Sequence, residues 1–363
     1  MRTSDARALL AWFVANRRAL PWRGEFPRDP YRVLVSEVML QQTQVDRVID
    51  GFRRFVERFP TLAALAGAAA DDVVEAFSGM GYYGRARRLH RAAQAIAARG
   101  AWPSDAAGLA ALPGVGAYTS AAVAAFAFAG TDPPVDGNIS RIAARVLAAP
   151  LPAGAVALTR RAVALAAELH AEAPCPEVYE ALMELGATVC TPRMPRCGSC
   201  PLQARCLGRS DAERYPRPRP ARAPIEVRWV AVWIVRPDGA VLLRRVPDAS
   251  LLAGLWLPPL AALAPADDPL AVAARLAHLF GVTGGLVAAA PVRHSITHHR
   301  IEVTPYVAAW SAPAVREPEP ETRYRNPAAP GLPTSSLLAK LRAACTGPRQ
   351  AVIDELSGDL GAP

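Results

Sequence analysis

The run Tyr215-Pro216-Arg217-Pro218-Arg219-Pro220-Ala221-Arg222-Ala223-Pro224 limits what this chain can fold into more than any other stretch. Its prolines lack backbone donors and hold φ near the polyproline value, so neither a helix nor a central strand can run through it. With arginines between the prolines, residues 211–224 read as an extended, semi-rigid linker. The chain is therefore expected as two separately cored pieces, residues 1–210 and 225–363, and its 363 residues suffice for both. Patterning differs across the linker. Before it, apolar residues recur at helical spacing, with almost no strand signal over residues 101–190; after it, strand-like runs take over.

In the first piece, residues 1–22 predict a helix ending in Arg17-Arg18-Ala19-Leu20-Pro21-Trp22-Arg23. Asp29-Pro30 then supplies an N-cap side chain and a proline at the first position of a second helix, over residues 31–59 with room for a break. Leu34, Val38, Val45, Ile49 and Phe52 form its apolar stripe, and Glu37 falls beside that stripe, one turn from Val33, Leu34 and Gln41. A carboxyl placed there is partly desolvated, which favours its neutral, proton-donating form. A second carboxylate, Asp136, stands in Val135-Asp136-Gly137-Asn138 on a short loop before another helix.

Between these two lies Leu112-Pro113-Gly114-Val115-Gly116-Ala117-Tyr118-Thr119. Pro113 stops the incoming helix, while Gly114 and Gly116 permit positive φ and leave backbone bare of Cβ. N–H groups of such a turn, at the mouth of a helix beginning near Tyr118, make an anion site suited to a DNA phosphate. In Gly79-Met80-Gly81-Tyr82-Tyr83-Gly84-Arg85-Ala86-Arg87-Arg88, glycines flank two aromatics and three arginines follow. The pattern suits a loop that presses a ring into a base stack while arginines hold phosphate; core aromatics are the alternative.

Charge agrees with a polyanionic partner: the net charge is +9, with a pI near 9.7. Lys340 is the only lysine, so nearly every cation is a planar guanidinium fork suited to phosphate and base edges. Residues 106–131 carry no charge, but Pro113, Gly114 and Gly116 interrupt them. What remains, residues 118–129, is too short to cross a bilayer and reads as a buried helix; no membrane partner is expected. Asp5 and the lack of a cleavage-like small-residue site mark the N-terminus as a first helix rather than a targeting peptide. Cys190, Cys197, Cys200 and Cys206 are crowded into one short segment of a chain without secretory features, which points to a metal centre, zinc or iron–sulfur, rather than disulfides. Arg193 and Arg196, between the first two cysteines, are placed to meet phosphate. Cys175 and Cys345 are left as buried free thiols.

Past the linker, strands are expected over residues 227–235 and 241–246 around a turn at Pro237-Asp238-Gly239, followed by a helix near residues 271–280 and a strand pair that includes residues 294–303. This order resembles a Nudix-type α/β domain. The helix Ala271-Val272-Ala273-Ala274-Arg275-Leu276-Ala277-His278 has no carboxylate to hold magnesium, so the domain is expected to recognise rather than cleave.

Leu20-Pro21-Trp22-Arg23, the segment from Ser36 to Val45, Gly81-Tyr82-Tyr83, the glycine hairpin, Val135 to Asn138, the four cysteines and the Nudix-like tail occur in this order. Over residues 5–310 the chain resembles the MutY family of adenine DNA glycosylases, within the helix-hairpin-helix (endonuclease III-like) superfamily. The resemblance implies a mainly α helix-hairpin-helix domain with an iron–sulfur cluster loop, plus a C-terminal α/β Nudix-like domain that recognises 8-oxoguanine. It implies a monofunctional base-excision enzyme that flips out adenine mispaired with 8-oxoguanine or guanine and hydrolyses its N-glycosidic bond. By resemblance Glu37 is the general acid, and Asp136 stabilises the sugar cation or intermediate with support from Tyr118 and Asn138. Arg18, Leu20, Trp22, Arg23, Val45 and Glu180 correspond to the pocket around the adenine. Gln42 and Tyr82 correspond to residues that enter the duplex, and Gly114 and Gly116 to the backbone-holding hairpin. Ile296, Thr297 and His298 correspond to the turn that probes the lesion, Ile296 standing where the family has an aromatic. Cys190, Cys197, Cys200 and Cys206 correspond to the ligands of one 4Fe–4S cluster. The implied partner is double-stranded DNA carrying A:8-oxoguanine or A:G, bound by a monomer in the cytoplasm, nucleoid-associated through DNA. A bifunctional glycosylase/lyase would need a hairpin lysine for a Schiff base, and here position 118 is tyrosine. A damage-binding protein without catalysis would have no need of both Glu37 and Asp136.

Overall fold

The computed structural model describes residues 4–220, 222–247, 251–310, 321–328 and 331–359. It divides into two compact units: Met1–Ala76 with Tyr82–Ala221, and Phe77–Gly81 with Arg222–Pro363.

In the first unit the described residues form α1 (Asp5–Asn16), α2 (Pro30–Leu40), α3 (Val45–Arg58), α4 (Leu62–Ala66), α5 (Ala70–Ala76), α6 (Gly84–Arg99), α7 (Ala106–Ala110), α8 (Ala117–Phe128), α9 (Gly137–Val146), α10 (Val156–Glu172) and α11 (Glu177–Thr188). The uncharged segment becomes α8, whose residues from Thr119 to Ala127 are all buried. Its alanines let α2 pack closely against it, and α2 is itself buried from Val33 to Met39. Asp29 caps α2 by accepting from Tyr31 N at 2.9 Å, with Pro30 at the first turn as expected. Among the described residues no helix is long and apolar enough to cross a membrane.

The helix expected over residues 31–59 is two helices, broken between Leu40 and Val45. Gln42 sits there at φ +55°, and the buried Arg85 guanidinium takes the carbonyls of Val38, Met39 and Gln41 that the ended helix leaves open. Both halves bury a stripe, Leu34 and Val38 before the break and Val48, Phe52 and Phe55 after it, so periodicity alone does not place the break. Arg85 is thus committed inside the protein, which corrects its expected place on phosphate.

The cysteine segment also departs from expectation. Among the described residues no group of three or more Cys, His, Asp or Glu side chains is arranged to hold a metal ion. This overturns the 4Fe–4S cluster, the zinc alternative and the iron–sulfur loop in the expected fold class; Cys190, Cys197, Cys200 and Cys206 are free cysteines. The segment is tied down by arginines instead. Arg145, 2% exposed, donates to Cys190 Sγ at 3.3 Å and to the carbonyls of Thr191 at 2.7 Å and Pro192 at 3.0 Å. Burial, with the neighbouring thiols, pushes Cys200 up to about 11 and raises Cys206. Of the leftover thiols, Cys345 is buried and Cys175 only half-buried.

The second unit is a mixed sheet with helices packed on it. Its elements are β1 (Ile225–Val235), β2 (Val241–Arg245), β3 (Trp256–Leu257), β4 (Leu260–Ala262), α12 (Pro269–His278), β5 (Leu286–Ala288), β6 (Val292–Ile296), β7 (His299–Ala309), β8 (Thr322–Arg325) and α13 (Ser336–Asp359). The order runs β3-β2-β1-β7-β5, with β4 on β1, β6 on β7 and β8 on β2. β1 and β7 are parallel along their full length, Ile225 opposite His299 and Val235 opposite Ala309; the other pairings are antiparallel. Val230, Val232 and Ile234 turn one face of β1 onto Val272, Ala273, Leu276 and Ala277 of α12, and α13 packs against β7 and β1. The strand pair expected around residues 294–303 is the ribbon β6–β7, whose tight turn is Thr297-His298.

Candidate active site

A cavity of about 820 Å³ opens among α2, α8, α9, α11 and the segment after α1. Glu37, Tyr118, Asp136 and Asn138, the residues singled out for chemistry, all line it. So do Arg18, Leu20, Trp22, Arg23, Val45 and Glu180, and at the rim Gln42, Gly114 and Gly116. Tyr82 is not a lining residue; it stands 44% exposed at the entry to α6. Ile296, Thr297 and His298 belong to the other unit.

Glu37 reaches the cavity because α2 is buried on nearly all sides: its neighbours Ser36 and Val38 are 1% and 5% exposed, and Glu37 itself 6%. Loss of water pushes its carboxyl up to about 7; a hydrogen bond from Tyr118 pulls the other way, while the charges of Asp136 and Glu180 add to the rise. Oε2 of Glu37 has no hydrogen-bond partner among the described residues. Burial, with the charges of Glu37 and Asp136, holds the Tyr118 hydroxyl well above its ordinary range, so it remains a donor.

Asp136 is the N-cap of α9. Its Oδ1 accepts from Ile139 N at 2.8 Å and its Oδ2 from Asn138 Nδ2 at 2.7 Å. Burial raises its pKa despite these bonds and the nearby charge of Arg141. Asn138 is aligned in turn by Arg141, which donates to Asn138 Oδ1 at 2.8 Å and to the Gly186 carbonyl at 2.7 Å. A Cβ at Gly186 would come within 2.5 Å of Asn138 Cβ, so α11 can approach α9 here only through a glycine.

The hairpin glycines differ. Gly114 has φ +75°, and a Cβ there would strike the Arg88 side chain at 2.5 Å. Gly116 has φ −91° and open space around it, so the positive φ expected of both is confined to Gly114. As the N-cap of α8, Gly116 leaves the backbone of that helix end uncovered.

The opposite wall is a ladder of ion pairs on α11. Glu180 accepts from Arg28 at 2.7 and 2.6 Å and lies 3.4 Å from Arg23 Nε. Glu184 accepts from Arg18 Nε at 2.7 Å and from Arg23 Nη2 at 2.8 Å. Burial alone would raise Glu184, but the hydrogen bonds and charges of Arg18 and Arg23 bring it below its ordinary value. Arg28 and Glu184 were missed in the sequence. Glu184 was legible, standing one helical turn beyond Glu180 on the same face; Arg28, beside the Asp29-Pro30 cap, had no distinguishing signal.

Chemically the cavity offers a carboxyl that holds its proton near neutrality, facing a second carboxylate that is steered by an amide and a backbone N–H. No residue group among those described adds a metal.

Residues 35–155 match the family model of the HhH-GPD superfamily base excision DNA repair proteins. An adenine DNA glycosylase of Mus musculus is 36% identical over 314 residues, 72% of this chain and 61% of that protein, so this chain spans less than two thirds of the mouse relative's length. Another, from Mycolicibacterium smegmatis, is 45% identical over 204 residues, covering 56% of this chain and 68% of that protein. Among solved structures, a thermostable thymine-DNA glycosylase superposes with a TM-score of 0.50 at 25% identity, over 56% of this chain and 94% of its own. Extended identity to these relatives, over a segment that carries the superfamily's own pattern, establishes that the chain belongs to the MutY-like adenine DNA glycosylase family of HhH-GPD base excision repair proteins.

Proposed function

We propose that the chain removes adenine from double-stranded DNA opposite 8-oxoguanine or guanine, as a monofunctional glycosylase acting on a base flipped into the cavity. The observation that carries this reading is Glu37, a carboxyl buried at 6% exposure with a pKa of about 7, sharing one cavity with Asp136. Breaking an N-glycosidic bond needs a proton on the departing base and negative charge beside the oxocarbenium-like sugar. Glu37 supplies the proton as the bond between sugar carbon and base nitrogen breaks, and Tyr118 orients it. Asp136, its two oxygens held by Asn138 and Ile139, offsets the positive sugar. Water then adds to the sugar carbon and releases a proton. Two carboxyls in different environments support this division of labour. Leu20, Trp22 and Val45 offer apolar walls for a purine ring, and Arg18, Arg23 and Glu180 offer polar edges. Tyr118 in place of a hairpin lysine, with Lys340 the only lysine, favours hydrolysis over lyase chemistry.

On this reading residues 225–363 recognise 8-oxoguanine. Thr297 is at φ +54°, with its hydroxyl 2.7 Å from the Ile296 carbonyl and 3.3 Å from His298 Nδ1, so both polar groups sit at the exposed tip of the β6–β7 ribbon. The test is single-turnover excision on A:8-oxoguanine, A:G and A:T duplexes, read as strand breaks with and without later alkali. Breaks that need alkali, fastest for A:8-oxoguanine, support the proposal; breaks without alkali, or efficient borohydride trapping that survives Lys340→Ala and a blocked N-terminus, overturn it. Thr297→Ala with His298→Ala should cost about 5- to 150-fold in preference for 8-oxoguanine over guanine, the value of two base-edge hydrogen bonds. Undiminished preference would place lesion reading elsewhere.

A further inference from the structure

Gln42 and Tyr82 both adopt left-handed backbone conformations, at φ +55° and +52°. Neither is glycine, so each is held there at a cost by its surroundings. The two lie 40 positions apart in the sequence, yet one side chain grips both. Arg85 Nη1 donates to the carbonyls of Val38 at 3.1 Å, Met39 at 2.8 Å and Gln41. Its Nη2 donates to Thr43 Oγ1 at 2.9 Å, so the guanidinium spans the chain on both sides of Gln42. The backbone N–H of the same residue donates to the Tyr82 carbonyl at 2.9 Å, and the guanidinium carbon is 5.7 Å from the centre of the Tyr82 ring. Arg85 is 2% exposed, while Tyr82 is 44% exposed and Gln42 sits exposed on the cavity rim.

We propose that Arg85 is a positioning residue: its buried guanidinium fixes Gln42 and Tyr82 in one relation, so that the two side chains enter the duplex as a single preformed wedge beside the cavity. The inference rests on the reading that this cavity receives a flipped base. The planar fork matters here, because it reaches backbone carbonyls on one edge and a hydroxyl on the other; an ammonium has neither that span nor a flat face for the ring. Ordering both residues before DNA arrives removes that cost from the binding step.

The test places 2-aminopurine next to the mispaired adenine of a duplex and reads the fluorescence gained as the full-length protein unstacks it, together with duplex affinity. The double variant Gln42→Ala/Tyr82→Ala defines the signal of a missing wedge. Arg85→Lys should lose most of the same fluorescence gain and bind about tenfold more weakly, the equivalent of releasing one strained residue. Added to the double variant, it should cost nothing further, whereas a merely structural arginine would add its own loss. Thr43→Val, which keeps Arg85 and removes one anchor, should give a smaller loss in the same direction with an unchanged melting temperature, and it serves if Arg85→Lys does not fold. The proposal is overturned if Arg85→Lys, or Thr43→Val in its stead, keeps the full fluorescence gain, or if the losses add. Were Gln42→Ala/Tyr82→Ala itself to leave the gain intact, this face would not enter DNA and the reading of the cavity would fall along with the wedge.

Discussion

The two walls of one cavity bury carboxylates on opposite terms. On the wall made by α2, α8 and α9, Glu37 and Asp136 meet a tyrosine hydroxyl, an amide and a backbone N–H, and burial raises both. On the α11 wall, Glu184 is completely buried yet lies below its ordinary value, because Arg18 and Arg23 hydrogen-bond it. Burial therefore sets protonation only where no cation answers it; beside Arg18 and Arg23 the partner wins. The ladder also protects the difference. Arg28, the cation whose charge reaches Glu37, spends its fork on Glu180, and its pull on Glu37 is the smallest of the influences acting there. A cavity lined by three arginines thus keeps one carboxyl poised to give up a proton.

That contrast can be broken at either wall. The largest effect is expected from Glu37→Gln, which keeps shape and removes the proton. Excision should fall about 10²–10⁴-fold while duplex binding persists; activity within tenfold of wild type in a single-turnover assay would remove Glu37 from the acid role. Next comes Glu184→Gln, which removes the partner of Arg18 and one of the two counter-charges of Arg23 and should cost about 1–3 kcal/mol in denaturant unfolding. The freed positive charge should also draw Glu37 down, moving the basic limb of the pH–rate profile to lower pH. A limb that stays in place would mean the ladder does not insulate Glu37.

A third effect concerns stability against pH. Folded Glu37 keeps its proton up to about 7, whereas the unfolded side chain loses it near 4.5. The folded state therefore binds the extra proton between those values, and stability declines as pH rises through that window, by about 3 kcal/mol once above 7. Below 4.5 both states are protonated and nothing is lost. Glu37→Gln should flatten this slope, making the variant more stable than wild type at pH 8 and not at pH 4; parallel curves would contradict the raised pKa. The smallest effect is expected from Asn138→Ala. It removes the 2.7 Å donor to Asp136, so Asp136 should rise further and the acidic limb of the rate profile should move to higher pH. A rate loss of about tenfold at neutral pH is the scale of one charge-assisted hydrogen bond, and a normal profile would show that Asn138 does not steer Asp136.

Much of this was legible from local pattern. Glu37 beside an apolar helical stripe, Asp136 ahead of a helix, the proline–glycine turn before Tyr118 and the proline run after Tyr215 are all set by short-range backbone preferences, and the structure brings the first three to one cavity. Patterns of that kind could not say which of the forty arginines goes inside. Arg85, Arg87 and Arg88 look alike in the sequence, yet only Arg85 is buried, capping a helix break whose position the continuous apolar stripe does not give. Four closely spaced cysteines suggested a metal, but coordination depends on how side chains are arranged in space, and among the described residues no group is arranged to hold one. Composition and periodicity determined where most of the helices and strands and the two acids lie, because these depend on residues a few positions apart. Tertiary structure decided which charges are paired and which carboxyl is left to burial, because Arg28 meets Glu180 across 152 positions of chain, and electrostatics acts through distance in space rather than in sequence.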